Sequence, residues 1–182
     1  GFTYNGENDR TLTLDAAGTL TFKTGATIES TGGTGGTHTL GGVLTGTSGV
    51  VFEGGSSFIT NGGDLAVNGG AFTLDGALDA GAGTVTLDSS GAIGQTSGVI
   101  TAGTLTGSST GATTLGEANQ IGTLGDFSAA SLSLTNSTAL TIAGNIVAGD
   151  AGDPVGPPVV LPTGGSITLS SGGIITQDAG SS

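Results

Sequence analysis

Cysteine, methionine and tryptophan are absent from this chain, and it carries two cations, Arg10 and Lys23, against 14 acidic side chains. The formal net charge of −12 repels phosphate backbones and anionic lipid headgroups, which argues against nucleic-acid or membrane-surface binding. No run of about 18 apolar residues occurs, so no segment reads as a membrane-spanning helix. A basic n-region followed by an apolar stretch is also missing, which places any secretion signal outside these 182 residues. Without cysteine there is no disulfide framework, a state compatible with export of an unfolded chain and equally with the cytosol.

Glycine is abundant, with 39 residues beside four prolines, close to the level at which chains remain disordered. The order of the residues argues otherwise. Thr11-Leu12-Thr13-Leu14, Thr19-Leu20-Thr21-Phe22, Ala71-Phe72-Thr73-Leu74, Thr84-Val85-Thr86-Leu87, Ser131-Leu132-Ser133-Leu134 and Ser166-Ile167-Thr168-Leu169 alternate small or polar with apolar residues. A period of two is the mark of a strand with one buried face. Gly, Asn and Asp close these runs, as in Asn61-Gly62-Gly63 and Asp75-Gly76, because they turn the chain cheaply. No stretch sustains a helical apolar stripe, so the chain is expected to be all-β.

Spacing then selects among all-β folds. Phe58, Leu65, Phe72, Leu78, Val85, Ile93, Val99 and Leu105 follow one another at intervals of about seven residues, shorter than the roughly 8–12 usual for sandwich hairpins. Three such short strands would make a coil of about 20 residues, as in a parallel β-helix, or β-solenoid. At about 4.8 Å per coil, residues 1–182 would form a single segment of about nine coils and about 40 Å. A longer repeat supports this: the run from Thr84 to Gly98 returns about 82 residues later, from Ser166 to Gly180, with Leu87, Ile93 and Gln95 matched in order by Leu169, Ile175 and Gln177. A glycine-rich coil cannot stand alone, so stacked neighbours must complete its ladder and core.

All four prolines fall between Gly149 and Gly165, where they cannot donate to a ladder. Residues 149–165 are therefore expected to leave the coil between Ile146 and Ile167 as an excursion. Asp150, Asp153, Pro154, Pro157, Pro158 and Pro162 would form a contact loop for a receptor, a sugar or a neighbouring fibre, unless the stretch is a tolerated insertion. Asp150 and Asp153 are also the candidate ligands of a small oxygen-rich metal site.

Catalytic chemistry finds little material. His38 is the sole histidine, lies in Gly-Gly-Thr-His-Thr-Leu away from any nucleophile elbow, and reads as a solvent-facing strand residue. Asp15, Asp75, Asp79 and Asp88 mostly follow strands, where Asx-type hydrogen bonding accounts for them. Two cations cannot assemble a basic clamp for acidic sugars, so no enzyme and no cofactor is expected. The calcium-binding nonapeptide array does not recur. Outward threonines, as at Thr11/Thr13, Thr19/Thr21 and Thr84/Thr86, are of the kind that ice-binding solenoids array, but Thr alternates with Ser, Ala and Gly from coil to coil.

Asn8-Asp9-Arg10-Thr11-Leu12-Thr13-Leu14, Ile59-Thr60-Asn61-Gly62-Gly63-Asp64-Leu65, Gly83-Thr84-Val85-Thr86-Leu87-Asp88, the run Ile93–Ile100 and the run Ser131–Ile142 resemble repeats of the filamentous-haemagglutinin-like exoproteins. The resemblance covers most of the chain outside the Pro-rich stretch. It implies a right-handed parallel β-helix with three strands per coil, export to the surface of a Gram-negative cell, often by two-partner secretion, and a role in adhesion, aggregation or biofilm. An autotransporter passenger and a separately exported subunit remain open as routes. Two functional classes follow. One is a shaft segment of a long adhesin contacting a host-cell or biofilm ligand. The other is a subunit that stacks on copies of itself into an extracellular filament, with an ice- or carbohydrate-binding solenoid as a lesser alternative.

Overall fold

A computed structural model of the protein describes residues 1–33, 36, 38–149 and 164–180. Among them the chain is all-β and contains no helix. In order the strands are β1 (Phe2–Tyr4), β2 (Arg10–Ala16), β3 (Thr19–Phe22), β4 (Thr27–Ser30), β5 (Leu40–Phe52), β6 (Ser57–Ile59), β7 (Leu65–Leu74), β8 (Ala77–Asp79), β9 (Thr84–Ser89), β10 (Ile93–Gln95), β11 (Ile100–Ser109), β12 (Ala112–Ala129), β13 (Ser131–Asn136), β14 (Leu140–Ile142), β15 (Ile146–Ala148), β16 (Ile167–Ser171) and β17 (Ile175–Gln177).

Alternation becomes burial directly. In β9, Val85 and Leu87 are fully buried while Thr84 and Thr86 stay half-exposed. Every strand pairing is parallel, and like residues meet like. Leu65 pairs with Val85, Val85 with Leu105, Leu105 with Leu124 and Leu124 with Ile142. A second ladder joins Leu20, Val50, Phe72, Ile93, Thr113, Leu132 and Ile167. A third joins Phe2, Ile28, Phe58, Leu78 and Ile100. These inward columns build one continuous core. At its amino-terminal side Phe22 and Phe52 stack with ring centroids 4.3 Å apart and planes 2° from parallel, and Phe58 meets Phe22 edge-on.

Over the middle of the chain one spacing recurs: hydrogen-bonded partners on neighbouring strands lie 19 to 22 residues apart from Thr60 to Glu117. It fails at both ends. Between the first rungs the separation is 30 residues, as for Asp9 and Thr39, and the last step reaches 35, as for Thr141 and Thr176. The separations are thus unequal among the described residues.

Strand length also departs from expectation. Short sides parted by glycine corners give way to long strands such as the 18-residue β12, whose hydrogen bonding persists through the bends. In β5, β7 and β11 such long strands carry bulging glycines. Gly49 (φ 153°), Gly69 (φ 136°) and Gly107 (φ 152°) adopt backbone angles that other residues rarely reach, and two of the register shifts fall beside Gly49 and Gly107.

Candidate functional site

The expected contact loop and metal ligands, Asp150, Asp153, Pro154, Pro157, Pro158 and Pro162, lie outside the described residues. Both flanks belong to the ladder: Ile146 pairs with Phe127, and Ile167 with Leu132.

Several acidic residues bond to a neighbouring strand, and one bonds locally. Asp79 Oδ1 accepts from Gly81 N at 2.8 Å, the local Asx turn expected of it. Asp75 and Asp88 do something else. Asp75 Oδ1 accepts from the N–H of Thr96 at 2.8 Å, and Asp88 Oδ1 from the Ser108 hydroxyl at 2.9 Å, both on the next rung. Asp64 holds Thr84 N, and Asp126 holds Asn145 N, in the same way. Asp15 is exposed on β2. Local turn chemistry was visible in the sequence, whereas a bond to a residue some 20 positions away becomes visible only once the register is known.

His38 is not on a strand but half-buried in the connection between β4 and β5, with Nδ1 3.8 Å from Asp9 Oδ1. Asp9 Oδ1 also accepts from Thr39 N at 2.9 Å. That backbone bond holds the Asp9 carboxyl below its ordinary pKa, against some desolvation and with help from the Thr39 hydroxyl and His38. Among the described residues no three His, Cys, Asp or Glu side chains gather as a metal site.

The outward threonines are more regular than their spacing suggests. Thr84, Thr104, Thr123, Thr141 and Thr176 pair in succession and form one unbroken column. The hydroxyls of Thr141 and Thr176 lie 3.3 Å apart. The neighbouring column carries Thr86 and Thr106, 3.1 Å apart, and ends at the register shift after Leu105. Unequal loop lengths between rungs hid this array from the sequence. It is one residue wide for most of its length.

Beside the amino-terminal end of that face lies an open groove of about 510 Å3. Its floor is glycine: Gly41 on β5 and Gly63 just before β7, with the backbone of Gly42 beside them. A side chain at Gly63 would meet the backbone of Gly41 and Leu40 at about 3 Å, and one at Gly41 would press on Asp64 O at 3.3 Å. Around the floor stand Asp9, Arg10, Thr39 and Asp64. Lys23, the other cation, is bonded to Glu53 at 2.7 Å, whereas the Arg10 backbone N donates to Thr39 O but its guanidinium has no hydrogen-bond or ion-pair partner among the described residues.

A buried amide cluster also escaped the sequence. Gln95, Asn119 and Asn136 lie almost wholly inside the core, near the middle of the chain. Gln95 and Asn119 exchange two hydrogen bonds of 2.9 and 3.0 Å, and Asn119 and Asn136 are register partners. Asn136-Ser137-Thr138 has the form of an N-glycan acceptor, but its Asn136 amide is buried and donates to Ile121 O and Thr138 O. No family model, curated protein or solved structure matches the chain.

Proposed function

We propose that the protein is a segment of a secreted bacterial surface fibre, wound as a right-handed parallel β-helix, which serves in adhesion, aggregation or biofilm formation and performs no catalysis. The observation that carries this reading is the parallel return of the chain onto itself about every 20 residues, with the same inward positions in register from Leu65 to Ile142. An object of this kind grows by adding rungs, presents long outward faces and has no need of a catalytic cleft. The resemblance of the repeats to filamentous-haemagglutinin-like exoproteins agrees with it, and so does the paucity of cations, which leaves nucleic acids and anionic membranes without a foothold. Its partners on this reading are neighbouring rungs along a fibre and a ligand on a host cell or biofilm, and its place is outside the cell.

The apolar rung at the end of the described residues favours a second reading. Ile167, Ile174 and Ile175 are 46%, 73% and 41% exposed, although each continues an inward ladder or adjoins one. A further rung would pair there, from the same chain in a shaft or from another copy in a stacked filament. Electron microscopy of the purified 182-residue chain separates these readings, and attachment of chain-coated beads to cells tests adhesion. Discrete rods support the shaft, and fibres whose length grows with protein concentration support the subunit. Compact particles without elongation would overturn both.

A further inference from the structure

A fibre shaft has no use for a groove floored by Gly41 and Gly63, nor for a guanidinium that has no partner among the described residues and lines the groove with two carboxylates. We propose that the groove of Asp9, Arg10, Gly41, Gly63 and Asp64 binds a neutral, hydroxyl-rich saccharide. The proposal rests on the adhesive reading above and names the chemistry of the contact.

Three observations converge. The first is space. On this face Thr11 pairs with Gly41, so the column loses its side chain where Asp64 follows on the next rung. The resulting volume of about 510 Å3 falls within the roughly 300–1,000 Å3 of small-ligand clefts. Backbone approaches so closely at Gly63 that the floor cannot be refilled by a side chain without displacing the rung.

The second is the donor and acceptor set. Arg10 offers five N–H donors with no partner among the described residues. The bonds of Asp9 and Asp64 to Thr39 and Thr84 all use Oδ1, which leaves Oδ2 of each as an acceptor. Donors and acceptors lining one groove suit vicinal hydroxyls, each of which both gives and takes a hydrogen bond.

The third is charge. Two carboxylates at the groove, in a chain of net charge −12, repel a sulfated or uronic-acid chain. A neutral glycan escapes that penalty. The groove holds no aromatic side chain, so single-site binding is weak, and a fibre that repeats such sites would bind through many at once.

The test uses the full chain with cellohexaose, laminarihexaose and mannohexaose as neutral probes and a heparin-derived hexasaccharide as the acidic one. Binding is read by saturation-transfer NMR and calorimetry. At least one neutral hexaose should bind, and Arg10→Ala should weaken it about tenfold or more without changing the melting temperature, because this side chain is exposed and unpartnered. Asp64→Asn keeps an oxygen for Thr84 N and should weaken binding too. The proposal is overturned if no neutral hexaose binds at about 10 mM, if the acidic probe is preferred, or if Arg10→Ala binds as well as the parent. Coated beads that attach to cells while no hexaose binds would sink the groove and spare the adhesive reading. Hexaose binding that Arg10→Ala abolishes, with beads that never attach, would uphold the groove and sink adhesion.

Discussion

Replacement of Asn119 should be the costliest polar substitution in the molecule, and its two forms should differ in their pH dependence. Asn119 is fully buried. Its Oδ1 accepts from Ile100 N at 2.8 Å and Gln95 Nε2 at 2.9 Å, while Nδ2 donates to Gln95 Oε1 and Glu117 O at 3.0 Å and Thr135 O at 3.1 Å. Asn119→Leu keeps the volume and strands the Ile100 N–H and the Gln95 amide in the core. At about 1–3 kcal/mol for each buried group left unpaired, the loss should be about 3–5 kcal/mol. A typical domain has about 5–15 kcal/mol in all, so this is a large share. In Asn119→Asp, a carboxylate would face the carbonyl oxygens that Nδ2 now satisfies, which raises its folded pKa above the ordinary value of about 3.9. The protonated form is tolerated, so stability should be greatest below the unfolded pKa and fall as pH rises through the folded one. Guanidinium unfolding followed by far-ultraviolet circular dichroism, with parent and variants compared at each pH from 3 to 7, measures both effects. A Leu variant within about 1 kcal/mol of the parent would refute the reasoning, as would an Asp variant whose deficit ignores pH.

Phe52→Ala should cost about 3–5 kcal/mol and Phe52→Leu much less, because the stacked Phe22 ring loses its partner in one case and keeps an apolar neighbour in the other; equal costs in guanidinium melts would contradict the stack. Gly69→Ala combines a positive φ with a Cβ driven into Gly46 O, and should destabilise by more than 2 kcal/mol or prevent folding, whereas Gly25→Ala meets open space and bears only the backbone strain. Glu53 is held below its ordinary pKa by the Lys23 ammonium and then by Thr24 N, so its contribution exists above the unfolded pKa and is lost as pH falls through the folded one. The melting-temperature gap between parent and Glu53→Gln should therefore close in acid and shrink in high salt, and a gap that widened in acid would refute the pairing. Expressed in a host that glycosylates Asn-X-Ser/Thr, the folded chain should carry no glycan at Asn136, as peptide mass spectrometry would reveal.

The part of the fold legible in the sequence was the part that depends on neighbours two residues apart. Val85 and Leu87 announce their burial through Thr84 and Thr86, and parallel pairing follows from returns too short for hairpins. Rung length was legible only on average, because nothing local marks the 30-residue step between Asp9 and Thr39 as one return instead of one and a half. The column from Thr84 to Thr176 was missed for that reason, as were the rung-to-rung bonds of Asp75 and Asp88. The groove was invisible for another reason. A glycine between strands reads as a turn in sequence, while Gly41 lies within β5 and gains its meaning only from Thr11 and Asp64 on either side. Gln95, Asn119 and Asn136 look like ordinary polar loop residues until the register brings them together inside the core.

That amide cluster bears on a difficulty inherent in so repetitive a chain. Rungs of alternating Thr and Leu are nearly interchangeable, so a slip by one whole return leaves every apolar residue inward and costs little in hydrophobic burial. Register must therefore be set by residues that fit only one neighbour. Gly42 is such a residue, since any side chain there would strike Leu65 and the Phe58 ring. Gly107 is another, lying between Leu87 and Phe127 in the ladder at a φ of 152°, where a side chain would strike the Leu87 backbone. The amides are the strongest, because a slipped rung would part Gln95 from Asn119 and leave buried donors and acceptors unpaired at about 1–3 kcal/mol each. Hence replacing Gln95 and Asn119 together by leucine should restore part of the stability that Asn119→Leu loses alone, while broadening the amide NMR resonances of β10 to β13 through exchange between registers. A double variant with sharp, parent-like resonances would mean that glycine and aromatic complementarity sets the register unaided.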